Sequence, residues 1–247
     1  MKNLIKKITP EYLLRIKRRL FNQLPDKEYQ NLAQKEVFEK IYSNSIWGKS
    51  EDQDDNFCSG EGSYDLGIIN PYINAVNKFL SSFEYPLDVV DLGCGDFNIG
   101  SKIRSSCKNY IACDIVEPLI ERNKTKYTDL HVDFRILDIS EDELPEGDVV
   151  IIRQVLQHLS NELIAAVTKK IQHKYKFLIL TEHLPSNPDF TPNLDKPTGH
   201  YIRLGIGKKG SGILITEPPF CLTVKESQIL SEVKSNNGLI RTYLYTL

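Results

Sequence analysis

An α/β fold, with a mostly parallel sheet and helices on both faces, is what this 247-residue chain predicts on three observations. Short apolar runs alternate with longer segments at helical spacing between Val89 and Thr181, the pattern of strand-helix-strand units. The runs are apolar at nearly every position, as in strands buried on both faces. Three of them end in an acid, Asp91, Asp114 and Asp138, at the strand ends where open parallel sheets hold their ligands.

Composition bounds the reading. An apolar fraction of 40% with 26% charged residues suits a globular chain with one core. A net charge of -2 provides no general attraction to nucleic acid, so no nucleic-acid partner is expected. No apolar run is long enough for a bilayer, and no integral membrane contact is expected. Cys58, Cys94, Cys107, Cys113 and Cys221 are odd in number and show no metal or redox spacing; they read as buried reduced thiols in a cytoplasmic protein. No metal is called for.

The first element is a basic amphipathic segment. Lys2, Lys6, Lys7, Arg15, Lys17, Arg18 and Arg19 interleave with leucines and isoleucines and are split by Pro10, which is not an export signal and suits a helix packed on the domain or, as the alternative, one lying on an anionic membrane surface. Apolar positions Leu32, Ala33, Val37 and Ile41 predict a helix between Tyr29 and Tyr42. The acidic run Glu51 to Asp55 reads as a solvated loop, Ser59 to Tyr64 as a glycine-rich one, and Asn70 to Phe83 as a further helix.

The chain is organised around Val89-Val90-Asp91-Leu92-Gly93-Cys94-Gly95-Asp96. A buried strand runs into a glycine pair, where the backbone can turn sharply and meet a ligand directly before entering a helix. A dinucleotide fingerprint would carry a third glycine where Asn98 stands, and an acid at Asp91 would repel a pyrophosphate but favour a ligand with a positive group. Tyr110 to Asp114 is the second strand, its terminal acid about twenty residues past the loop and suited to ribose hydroxyls. Val132 to Leu137, Asp148 to Ile152 and Lys176 to Thr181 complete five parallel strands, with a helix over Asn161 to His173. Gly212 to Thr216 and Leu239 to Tyr245 are expected to pair antiparallel. After the fifth strand, residues 182–203 form a long proline-rich loop of the functional kind.

Asp-Leu-Gly-Cys-Gly-Asp, with the acids at Asp114 and Asp138 and the stretch Arg153 to Leu159, resembles the motifs of the class I S-adenosylmethionine (SAM)-dependent methyltransferases. The resemblance implies a Rossmann-like seven-stranded sheet, mostly parallel with an antiparallel C-terminal strand. It implies one structural domain, with residues 1–84 a helical lead-in and lid and residues 85–247 the methyltransferase domain. It also implies SAM held by Asp91, Gly93, Cys94, Gly95, Asp114, Ile115, Asp138, Ile139, Arg153 and Gln154, with S-adenosylhomocysteine (SAH) as product. His158, expected one helical turn past Gln154, resembles a histidine that in phosphoethanolamine methyltransferases works with a lead-in tyrosine, here Tyr64; these two are the catalytic candidates. Pro-Asn-Leu-Asp-Lys-Pro-Thr-Gly and Glu-Pro-Pro-Phe resemble bacterial small-molecule methyltransferases encoded with surface-polysaccharide genes.

The expected function is O-methylation of a small polar acceptor, histidine being the side chain that supplies a base near neutral pH. Lys196, His200, Arg203, Lys208, Lys209 and Arg153 suggest that the acceptor is anionic, a phosphorylated or nucleotide-linked sugar. The alternatives are N-methylation of a small amine, a nicotinamide-dependent oxidoreductase, and a SAM-fold binding protein without activity.

Overall fold

The computed structural model describes residues 26–49, 57–235 and 238–247. The basic segment between Lys2 and Leu20 and the acidic run Glu51 to Asp55 lie outside them. The lead-in contains α1 (Gln34–Ser43) and α2 (Leu66–Leu80). Helix α2 begins four residues before its expected start because Asp65 caps it, accepting from the Gly67 N–H at 2.8 Å. The strands are β1 (Val89–Leu92), β2 (Tyr110–Asp114), β3 (Asp133–Ile136), β4 (Val149–Arg153), β5 (Phe177–Leu184), β6 (Glu226–Ser235) and β7 (Gly238–Thr246). Two more helices, α3 (Glu117–Lys126) and α4 (Asn161–Ile171), lie between them.

The seven strands follow the order β3-β2-β1-β4-β5-β7-β6, and β7 alone runs against its neighbours on both sides. Side chains alternate between two cores. Val90, Leu92, Val150, Ile152, Leu178 and Leu180 pack on one face with α1 and α4, while Val89, Val149, Ile151 and Ile179 pack on the other with α2. The order reverses at β1 and β4, which lie side by side with Asp91 opposite Ile151. A crevice therefore opens at their carboxyl ends, and the motif residues meet there.

Three expected elements are different. Where a helix was expected after the glycine loop, the chain makes two short 3-10 turns, Gly100–Lys102 and Arg104–Ser106. Gly212 to Thr216 is not a strand; β7 takes β6 as its partner, because the polar run Glu226–Ser235 can occupy the exposed edge while Gly212 packs against Leu184 and Pro185. Strand β5 runs three residues further than expected, so Glu182 and His183 belong to the sheet, opposite Arg241 and Ile240. Among the cysteines all are free, and Cys221 is exposed where burial was expected.

Candidate active site

The crevice is a cavity of about 540 Å³ between the strand ends and the lead-in. Its floor is the glycine loop. Gly93 and Gly95 both have positive φ, 79° and 55°, and a side chain at either would collide, with Val155 and with Ser59 respectively. Only glycine fits both the turn and the space. Phe97 has a positive φ of 60° and turns its ring away from the loop into an aromatic group with Tyr110, Tyr127 and Phe134. Helix α3 supports the loop from behind, Asn123 donating to the Gly95 carbonyl and Arg122 to that of Asp96, both at 2.8 Å.

The acids sit in different surroundings. Asp91 is buried and accepts from the Tyr110 hydroxyl at 2.9 Å; burial pushes its carboxyl up to about 7. Asp114 accepts from the backbone N–H of Gly95 and of Val116, each at 3.0 Å, and burial pushes it up to about 6 in spite of those bonds. Asp138 is placed elsewhere. Its carboxylate accepts from the N–H and hydroxyl of Ser140, closing a turn, and it does not line this cavity. Of the expected cofactor residues the other nine, Ile115, Ile139 and Gln154 among them, all line it.

Arg153 reaches across the cavity. One guanidinium nitrogen donates to the Gly62 carbonyl at 2.8 Å, the group lies 5.1 Å from the centre of the Tyr72 ring, and its Nε is buried without a partner. The Tyr72 hydroxyl, also lining the cavity, is a second buried polar group without a partner. Two such orphans beside Asp91 leave donors for a ligand that carries its own anionic end.

The lead-in closes over the loop through reciprocal hydrogen bonds. Ser59 N donates to Asp96 Oδ2 and Asp96 N donates to Ser59 Oγ, both at 2.8 Å. Tyr64 joins this clasp, donating to Asp96 Oδ2 at 2.8 Å; it is 40% exposed and does not line the cavity. Tyr42, Trp47 and Phe38 face the cavity instead. Sequence spacing could not choose among these aromatic residues, since only the folded path of the lead-in decides which ring turns inward.

His158 does line the cavity, though not by a helical turn. Gln154 has a positive φ of 56°, and residues Leu156–His158 form a 3-10 turn, so the two side chains do not share a helical face. The His158 Nδ1 is 3.2 Å from the Gly199 carbonyl, which needs the proton on that nitrogen, and Nε2 faces the Gln157 amide nitrogen at 3.3 Å. Burial, aided by the positive charge of Lys196, holds its pKa down to about 3, so the ring is neutral. Two further imidazoles, His183 and His200, and Gln157 complete this side.

Arg203 and Glu182 bracket the turn that carries His158. Arg203 is 1% exposed and donates to the carbonyls of Leu156, Gln157, Leu159 and Leu194 and to the Asn161 side chain. Glu182 Oε2 accepts from the Gln157 N–H at 3.1 Å, and burial pushes this acid up to about 8. Lys196 is equally committed: its ammonium lies 3.0 Å from Asp26 Oδ2, both side chains having no exposure. Lys209 is an exposed partner of Asp189, and neither it nor Lys208 lines the cavity. Of the expected cations, Lys196 and Arg203 are thus spent on holding loops together and Lys208 and Lys209 lie away from the cavity, while His200 and Arg153 line it.

The family model described as a methyltransferase domain matches residues 90–176, from β1 past the end of α4. No curated protein matches the sequence. Among solved structures, human N-acetylserotonin methyltransferase in complex with SAM is 16% identical, with a TM-score of 0.58 over 94% of this chain and 64% of that one, so this chain spans under two thirds of it. DhpI in its SAH complex is 12% identical, with a TM-score of 0.53 over 86% and 95%. Magnesium protoporphyrin IX methyltransferase from Synechocystis PCC 6803 with bound SAM is 15% identical, with a TM-score of 0.54 over 87% and 98%. At these identities the likeness is one of fold. Residues 90–176 thus match a methyltransferase domain, and the mixed seven-stranded sheet in which they are set has the fold of these solved methyltransferases.

Proposed function

We propose that this chain is a methyltransferase that takes its methyl group from SAM and delivers it to a hydroxyl oxygen of a small polar acceptor. The observation that carries the reading is the cavity itself. One end presents the glycine loop, two strand-end acids, and the unpartnered Arg153 Nε and Tyr72 hydroxyl; the other presents a buried neutral histidine. The first end fits SAM: Asp114 has lone pairs left for ribose hydroxyls, Asp91 for the ammonium, and Arg153 Nε with the Tyr72 hydroxyl for the carboxylate. The glycines let the ligand lie on the loop.

SAM supplies a methyl group on a sulfonium sulfur: the O–CH₃ bond forms as the S–CH₃ bond breaks, its electron pair stays on sulfur to give SAH, and the hydroxyl proton is released. The chain's residues orient, exclude water and receive that proton. His158, its Nδ1–H fixed on Gly199, offers the Nε2 lone pair to the acceptor hydroxyl once the Gln157 amide yields. Its low basicity suits hydrogen-bonded orientation with late proton loss more than full proton abstraction beforehand. Tyr64 acts through the lid, holding Asp96, and residues 1–84 are proposed as that lid. A sugar-bearing acceptor in surface-polysaccharide assembly belongs to the same proposal and is supported by the sequence resemblance alone.

Calorimetry with SAM, SAH and NAD tests the donor, with binding of the first two and not the third expected. His158→Asn should lower kcat by about 10²-fold, the lower end for such groups, with SAH affinity within about twofold. Turnover within threefold of the parent at saturating acceptor makes His158 a structural residue.

A further inference from the structure

The acceptor half of the cavity holds aromatic rings and no uncommitted charge among the described residues, and this limits what can bind there. Trp47 lies 5.0 Å from the His158 ring, centre to centre, and meets Tyr42 edge-on at 5.2 Å. Phe38 stands 6.2 Å from Trp47, and Tyr201 and Ile202 close the wall. The cations near this half face inward: Lys196 pairs with Asp26, and Arg203 is bonded to four carbonyls. Asp26 is in turn occupied by Lys196 and lies 3.3 Å from His200 Nδ1. Glu182 does not line the cavity. A phosphate or an ammonium placed here would lose its water without gaining a counter-charge, which costs several kcal/mol. A flat, uncharged ring loses little and gains the faces of Trp47 and its neighbours.

We propose that the acceptor is an uncharged ring bearing a hydroxyl group, seated flat against Trp47 with that hydroxyl directed at His158. A phenol and a neutral sugar share this chemistry, since each offers an apolar face beside a hydroxyl. The inference rests on the O-methyltransferase reading but concerns only the acceptor half.

Trp47 is the single tryptophan of the chain, so its emission reports this wall directly. The full chain saturated with SAH is titrated with catechol, methyl glucoside, glucose 1-phosphate and ethanolamine. Catechol or methyl glucoside should quench or shift Trp47 emission and bind at least tenfold more tightly than either charged probe; which of the two does so separates phenol from sugar. By calorimetry, Trp47→Leu should weaken that probe at least tenfold and Trp47→Phe by less, with SAH affinity within about twofold for both. A charged probe binding tenfold more tightly than both neutral rings overturns the proposal. So does the failure of both neutral rings to bind, or their unchanged affinity in Trp47→Leu. Failure of the donor reading is visible separately, as absence of SAH binding to the parent.

Discussion

Replacing Arg203 separates a cation that binds an acceptor from one that holds the fold. The guanidinium is 1% exposed and serves four backbone carbonyls and one side-chain oxygen, at 2.5 to 3.2 Å. It is also the positive charge acting on Glu182. Arg203→Met retains the apolar stem and removes every donor. Leaving buried acceptors unpaired costs about 1–3 kcal/mol each, so the low end for four carbonyls already gives about 4 kcal/mol. For a chain of this size each kcal/mol lowers Tm by about 2–4 °C, which places the variant about 8–16 °C below the parent. Arg203→Lys, with three donors on one nitrogen, should lose roughly half as much. Differential scanning calorimetry reads both. The reasoning is refuted if Arg203→Met melts within 3 °C of the parent, above all if acceptor affinity alone then falls, since the guanidinium would be facing the acceptor.

Two further outcomes follow from the acids. Asp114→Asn retains one oxygen for the Val116 N–H but loses the charge and an acceptor, and should weaken SAH binding at least tenfold, about 1.4 kcal/mol, by calorimetry; normal affinity removes Asp114 from the ribose site. Stability should fall as pH rises from 6.5 to 8. Glu182, at about 8, and Asp91, at about 7, keep protons in the folded chain that ordinary carboxylates lose near pH 4, so the unfolded chain binds fewer protons throughout that window. Below 6.5 the neutral His158 and His183, held down to about 3 and about 4, work in the opposite sense and flatten the curve. A Tm that climbs between pH 6.5 and 8 contradicts the buried placement of these two acids.

The sequence by itself determined the parallel core and the glycine loop and acids gathered at its carboxyl ends. Apolar runs and the glycine pair are local properties: Gly93 and Gly95 sit where a Cβ cannot, and Asp91 and Asp114 end strands that pair in register, so four residues of one run and five of another were enough to place them. Tertiary structure alone decided the acceptor side. Tyr64, Tyr42 and Trp47 are equivalent as aromatic residues of one lead-in, and only the Asp96 clasp and the path of α1 turn Tyr64 outward and the other two inward. Asp138 looks like Asp114 in the chain, but Ser140 two residues on takes its carboxylate. Lys196 and Arg203 read as free cations because their partners, Asp26 and the carbonyls of 156–159, are 40 or more residues away in sequence, and a charge reveals its role only when the groups that surround it are in place.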